Sequence, residues 1–81
     1  MRYVVARNNP ASPSGLSIFT GSLALQASAD GPAIWAPETG WLIADAFAFA
    51  TEGEARDMAA LFSWRAPSGA SWFVLPAEVT P

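Results

Sequence analysis

The chain has 81 residues, 52% hydrophobic and 14% charged, which is typical of one small folded domain spanning 1–81 and not of a disordered chain. It contains no cysteine, histidine or lysine, which excludes a disulfide framework and removes most side chains on which enzymes depend. The formal charge of −3 argues against direct nucleic-acid binding, because phosphate recognition needs basic patches.

The first third of the chain predicts short strands separated by polar turns. Residues 2–7 form a run that contains two adjacent valines, and residues 8–15 form a loop with two prolines. Residues 16–27 alternate as strands do, with a change of phase at Gly21. Two interpretations stay open there, namely two short strands about a tight turn or one strand with a bulge. Residues 28–32 predict a turn.

Residues 33–36 and 41–44 are apolar runs on either side of the sequence Pro-Glu-Thr-Gly at 37–40. An early proline and a final glycine are typical of a four-residue hairpin loop. We therefore expect a hairpin closed by residues 37–40, which places Trp35 opposite Leu42.

The second strand of this hairpin is predicted to continue to residue 50. Phe47 and Phe49 share one of its faces, and alanines occupy alternate positions on the other. Small side chains allow close approach, so we expect the alanine face to meet a helix or a subunit interface.

A helix is predicted after this strand. Thr51 and Glu54 have the spacing of a capping box, in which the threonine hydroxyl accepts from the backbone amide three residues later. The helix is expected to end at about residue 62 or 63. Its narrow apolar stripe at helical spacing consists of Ala55, Met58, Ala59 and Phe62.

After a turn at 65–69, residues 70–75 are apolar on both faces, which predicts a strand that is either central or covered on both faces. Pro76 is expected to stop this strand, and the last five residues are expected to be frayed. The pattern as a whole predicts an α+β fold, with a twisted antiparallel sheet of four to five strands and one α-helix packed on it.

Acidic side chains cluster at Glu52, Glu54 and Asp57. The first turn of a helix favours carboxylates through its cap and its dipole, so a structural role explains them. Glu52 is also four residues before Arg56, the favourable order for an ion pair on a helix.

Asp45 interrupts an apolar run and either points outward at a bulge or pairs with Arg2 or Arg7. A serine nucleophile would lack a base in this chain, and a zinc site would have only carboxylates. We therefore expect no catalytic residue, no metal site and no cofactor.

The aromatic residues divide into two groups. Those predicted to form the core are Phe47, Phe49, Phe62, Trp72 and Phe73. Trp35, Trp41 and Trp64 lie beside predicted turns or the helix end, where an indole is partly exposed, and tryptophan is common at binding hot spots. The residues predicted to bind a partner are Asp30, Trp35, Glu38, Trp41, Glu52, Asp57 and Trp64.

The N-terminal residues lack the apolar region of a signal peptide, and the longest apolar stretch, residues 41–50, is half of a membrane span. We expect a cytoplasmic protein with no membrane association. A homodimer that hides spare apolar surface is a further expectation.

The segment DAFAFATEGEARDMAALFSW, followed by SWFVLP, resembles a recurring type of short phage- or prophage-encoded protein. The matching residues are Phe49, Thr51, Glu54, Ala55, Trp72, Val74 and Pro76. Proteins of this type include anti-CRISPR inhibitors of type I surveillance complexes. The resemblance implies a small acidic protein without catalytic residues that acts in the host bacterial cytoplasm. Such a protein occupies the target-DNA or nuclease-recruitment surface of Cas subunits.

Two hypotheses follow from these observations. The first is a non-enzymatic inhibitor that binds a protein partner, with an anti-CRISPR protein as its most specific form. The second is a self-associating phage structural or assembly protein. An enzyme is disfavoured because the usual catalytic side chains are missing.

Overall fold

The computed structural model describes residues 2–28, 31–65 and 71–77. Four strands, β1 (Tyr3–Asn8), β2 (Leu16–Ser28), β3 (Gly31–Gly40) and β4 (Trp72–Pro76), form one antiparallel sheet in the order β3-β2-β1-β4. A short 3₁₀ helix (Ile43–Asp45) and one α-helix, α1 (Glu52–Arg65), lie between β3 and β4. The predicted α+β fold is confirmed.

The core lies between the sheet and α1. Its buried residues from the sheet side are Val5, Phe19 and Phe49, and those from α1 are Ala55, Ala59 and Phe62. The rings of Phe19 and Phe62 meet edge to face with centroids 4.9 Å apart. The predicted apolar stripe of the helix is therefore confirmed, since these are the residues that contact the core.

A second, smaller cluster covers the opposite face of the sheet. Val4, Ala6 and Ile18 are its buried members, and partly buried side chains such as Ala46 and Phe73 pack against it. Successive residues of a strand point to opposite faces, so adjacent Val4 and Val5 belong to different clusters.

The helix begins as the capping signal predicts. The Glu54 backbone N–H donates to Thr51 Oγ1 at 3.2 Å, which satisfies one of the amides that a helix start leaves without an intrahelical partner. Glu52 and Arg56 form the expected ion pair one turn apart on the exposed surface.

β2 is one continuous strand with an irregularity at Gly21. Its pairing with β3 shifts register between Phe19 and Leu23, and Gly21 has a φ of +100°. Of the two interpretations of this stretch, one strand with a bulge is correct. Glycine suits the position because other residues rarely adopt this backbone conformation.

The predicted hairpin at residues 37–40 is wrong. β3 runs without interruption from Gly31 to Gly40, and Trp35 lies opposite Leu25 of β2 rather than Leu42. The sequence Pro-Glu-Thr-Gly at 37–40 suggested a hairpin loop, but it lies in a strand at the edge of the sheet. An edge strand tolerates proline, since the missing N–H removes no bond to a second neighbour.

The predicted strand over residues 41–50 is also wrong. The chain forms the 3₁₀ helix and then an extended segment in which Phe49 makes an isolated bridge with Tyr3, with N···O distances of 3.0 and 2.7 Å. Phe49, and not the alanine face, meets α1 in the core. Ala46 packs on the opposite side of the sheet.

β4 lies at the second edge of the sheet, so it is not central, but both of its faces are partly covered. Trp72 and Val74 pack on the α1 side, and Phe73 and Leu75 pack on the other. The predicted turns at 28–32 and 65–69 and the frayed tail fall partly or wholly outside the residues that the structure describes.

Candidate protein-binding surfaces

The first candidate surface is on a two-stranded arm. β1 pairs with β2 only along Leu16–Ile18 of the latter, whereas the β2–β3 pairing continues to Ser28 and Gly31. We call residues 23–28 of β2 and 31–37 of β3 the arm. The molecule is correspondingly elongated, with extents of 45 × 27 × 19 Å.

One side of the arm is apolar and exposed. Leu25 lies opposite Trp35 and Leu23 lies opposite Pro37, and residues that are paired or two apart share a face of the sheet. We call these four residues the arm face. Leu23, Leu25 and Trp35 are 52%, 58% and 63% exposed, which is unusual for side chains of this size next to each other. Ile34 points to the opposite side of the arm.

The outer edge of the arm is poorly suited to strand addition. β3 contains Pro32 and Pro37, and proline has no N–H to donate to a new neighbour. A partner of the arm is therefore expected to pack on its face rather than extend its sheet.

The second candidate surface lies at the base of the arm. Trp41, Leu42, Ile43 and Phe47 are all exposed, and we call them the base patch. Ser14 Oγ donates to the Trp41 carbonyl at 2.9 Å, which fixes the chain as it leaves β3. Phe47 was predicted to be core but is 46% exposed, because the segment that holds it is not a strand of the sheet.

The third candidate surface is the side of α1 that faces away from the core. Asp57, Leu61 and Trp64 follow each other at intervals of four and three residues, so they share one side of the helix. We call them the helix outer face. They extend over about 10 Å at the helical rise per residue. Trp64 is the most exposed of the large apolar side chains in the described part of the chain.

A groove of about 670 Å³ separates α1 from the outer edge of β4, with Arg56 and Ala60 on one wall. The Ala77 N–H donates to the Arg2 carbonyl at 2.8 Å, so by alternation Trp72, Val74 and Pro76 direct their backbone groups outward. The Trp72 N–H already donates to Ser63 Oγ at 2.8 Å, and Pro76 has no N–H. Two of the three outward positions thus offer no donor, so this edge is a poor site for an added strand.

The residues predicted to bind a partner do not converge on one surface. Trp35 is on the arm face, and Trp41 is in the base patch six residues later, about 20 Å along an extended chain. The Glu38 carbonyl accepts from Thr20 Oγ1 at 3.2 Å, near the base of the arm. Glu52 is engaged by Arg56. Asp30 lies outside the described residues.

Asp57 and Trp64 are the predicted residues that the fold does bring together, on the helix outer face. Leu61 lies between them and was not predicted, and neither were Leu23 and Leu25 of the arm face. The sequence contained a signal for the exposure of Leu23 and Leu25. The alternating run at residues 16–27, formed as one strand, is longer than the single predicted helix and the neighbouring strands can cover.

Asp45 is exposed in the 3₁₀ helix, and neither Arg2 nor Arg7 is within ion-pair distance of it in the described part of the chain. The Arg7 guanidinium instead lies over the Trp72 ring, 5.7 Å from its centroid. Of the two interpretations, pairing with an arginine is wrong and the outward orientation is correct, although it occurs in a 3₁₀ helix and not at a bulge. Arg7 lies on the strand next to Trp72 and takes this ring as its partner.

Comparison with known proteins gives no match to any family model, to any curated protein or to any solved structure. Within residues 2–28, 31–65 and 71–77, no three acidic side chains are placed to hold a metal ion. The same residues contain no helix that is both long enough and apolar enough to cross a membrane.

Proposed function

We propose that this protein is a non-enzymatic inhibitor that binds a protein partner and blocks one of its surfaces. The observation that supports the proposal is the exposure of three of its four tryptophans. Trp35, Trp41 and Trp64 are 63%, 53% and 83% exposed. Tryptophan is enriched at the centre of protein interfaces, where it fills a pocket of the partner.

The helix outer face is the surface that we assign to the partner. It combines an aromatic anchor, Trp64, with an aliphatic neighbour, Leu61, and a carboxylate, Asp57, on one rigid helix. A helix presents these side chains at little further entropic cost, because its backbone is already ordered. The complementary partner surface has an apolar pocket with a basic rim, and the net charge of −3 favours encounter with such a surface.

The most specific form of the proposal is that the partner is a type I CRISPR effector complex. The protein would then act in the host bacterial cytoplasm as an anti-CRISPR protein, at the target-DNA or nuclease-recruitment surface. Its small size, its acidity and the resemblance of residues 45–76 to such proteins support this form.

The experiment is a target-DNA binding and cleavage assay of a purified type I effector complex, with this protein titrated in. Inhibition at stoichiometric concentration by the wild type, and its loss in Trp64→Ala, is the expected result. Absence of inhibition at saturating concentration would reject the anti-CRISPR form. Full inhibition by Trp64→Ala would reject the helix outer face as the contact.

A second candidate is a self-associating phage structural or assembly protein. The arm face supports it, because an exposed apolar surface without charge suits contact between copies of one chain. This candidate predicts assemblies larger than a dimer, which need a second contact surface beside the arm face and persist at high salt. An acidic inhibitor instead loses affinity for its partner as salt rises.

A further inference from the structure

We infer that the arm face binds the arm face of a second copy of this chain, and that the two arms form a closed two-fold dimer. The inference concerns a different surface from the helix outer face and does not depend on the proposed inhibitor function. It rests on the apolar character, the absence of charge and the exposure of the arm.

The apolar character of the arm face is concentrated in two cross-strand pairs. Leu25 with Trp35 and Leu23 with Pro37 occupy neighbouring positions of one face, so their side chains form one continuous surface. Monomeric proteins rarely leave a contiguous apolar patch of this kind exposed unless it has a partner. The same residues on a second copy present the same uncharged apolar surface.

The absence of charge on the arm favours a second copy of the chain as its partner. Residues 23–28 and 31–37 contain no charged side chain, and the acidic residues nearest to them in sequence are Asp30 and Glu38. A basic partner would find no complementary carboxylate on the arm face. An uncharged apolar surface matches it, and the arm face of a second copy is such a surface.

The chain exposes more area than a compact monomer of its mass. The chain exposes 5481 Å², whereas a compact monomer of 8.5 kDa is expected to expose about 4,650 Å². The difference of about 800 Å² belongs to the whole chain, and the exposed side chains of Leu23, Leu25 and Trp35 contribute to it.

The prolines of β3 favour face packing over edge pairing. Pro32 and Pro37 lie on the strand at the outer edge of the arm, so joining two arms into one wider sheet would leave ladder positions without a donor. Two arms stacked face to face at about 10 Å bury the leucines and the indole. A two-fold axis uses the arm face of each copy once, so the assembly closes at two chains.

The test is the molar mass of the full-length protein, measured by sedimentation equilibrium and by light scattering over a wide concentration range. The wild type is expected to reach twice the chain mass of 8.5 kDa. Its dimer dissociation constant is expected to change less than about threefold when salt is raised to about 1 M, because apolar contacts are not screened.

Trp35→Glu and, separately, Leu25→Glu place a charge in the apolar contact of the dimer and are expected to raise its dissociation constant at least about tenfold. Ile34→Glu is the matched control, because it adds the same charge to the other side of the arm. Its dissociation constant is expected to stay within about twofold of the wild type, since its side chain does not face the second copy.

Far-UV circular dichroism is expected to show that all three variants are folded, because each substituted side chain is exposed. A wild type that stays monomeric at the highest concentration would overturn the inference. Equal dissociation of Ile34→Glu and both arm-face variants, or growth beyond two chains, would overturn it as well.

Discussion

The ring of Phe47 lies against the backbone of Gly21, so closely that a β-carbon at Gly21 would be 2.9 Å from Phe47 Cδ2. The contact is fixed by a hydrogen bond from the Phe47 N–H to the Phe19 carbonyl at 2.9 Å and by the Phe47–Phe49 ring contact at 4.8 Å. The bulge at Gly21 therefore joins the end of the core to the start of the arm. The segment after the arm packs back onto β2 at this point.

Gly21→Ala is expected to lower the free energy of unfolding by about 2 kcal/mol or more. Its φ of +100° disfavours any residue with a β-carbon, and the added atom overlaps the Phe47 ring. Urea unfolding followed by tryptophan fluorescence at a fixed protein concentration measures the change. A loss below about 0.5 kcal/mol would mean that the bulge relaxes easily, and it would contradict a fixed contact between Gly21 and Phe47.

Two other glycines provide controls for this prediction. At Gly15 an added β-carbon would meet no atom within 4 Å, but the φ of +76° disfavours alanine. Gly15→Ala therefore has only the cost of the backbone conformation, and it is expected to lower the free energy of unfolding by about 1 kcal/mol, less than Gly21→Ala. Gly53 lies in α1 with open space around it. Gly53→Ala is expected to stabilise the protein by about 0.5–1 kcal/mol, because alanine favours the helix.

Thr51→Ala is expected to cost about 1 kcal/mol of stability, because the Glu54 amide loses the side-chain oxygen that accepts its hydrogen bond. Thr51→Ser keeps a hydroxyl at the same position and is the matched control. Thermal unfolding by circular dichroism compares the three proteins. Equal melting temperatures for alanine and serine would show that the cap contributes nothing.

Phe62→Ala is expected to cost about 3–5 kcal/mol, since it leaves a cavity in a core of this size. Its ring is buried and contacts Phe19 at 4.9 Å and Trp72 at 5.1 Å between centroids. Leu61→Ala, one residue earlier on the exposed side of α1, is the control and is expected to cost less than about 0.5 kcal/mol. Similar losses in both variants would contradict the described orientation of the helix.

Glu52→Gln is expected to change stability by less than about 0.5 kcal/mol. The ion pair with Arg56 is exposed, with side chains 45% and 71% accessible, so solvent screens most of the attraction. Denaturant unfolding at low salt gives the largest effect and is the measurement of choice. A loss above about 1 kcal/mol would assign the pair a structural role that its exposure does not suggest.

Local signals in the sequence predicted much of the fold. The hydroxyl of Thr51 and the spacing of Ala55, Ala59 and Phe62 determine the start and the buried side of the helix without reference to distant residues. The adjacent valines of β1 act in the same way, because β-branched residues favour a strand. These signals are local because capping and amphipathic burial involve residues within one or two turns.

Features that depend on the position of an element in the sheet could not be predicted in this way. The sequence around Pro37 suits a hairpin loop, but it also suits an edge strand, and only the sheet order decides between them. The candidate surfaces also depend on the position of each element in the sheet. The expected exposure of Trp35 rested on a hairpin loop that does not form, and this side chain is exposed because it lies on the uncovered arm. The separation of Trp35, Trp41 and Trp64 onto three surfaces depends on the length and direction of the arm.

Quantitative affinity purification tests whether the helix outer face binds a type I effector complex. Tagged wild type, Trp64→Ala and the arm variant Trp35→Ala are recovered from a bacterial lysate that contains a type I effector complex, and mass spectrometry measures the effector subunits. Stoichiometric recovery is expected with the wild type and Trp35→Ala, and at least about tenfold less with Trp64→Ala. Recovery of the protein alone, or equal recovery by all three, would contradict this expectation.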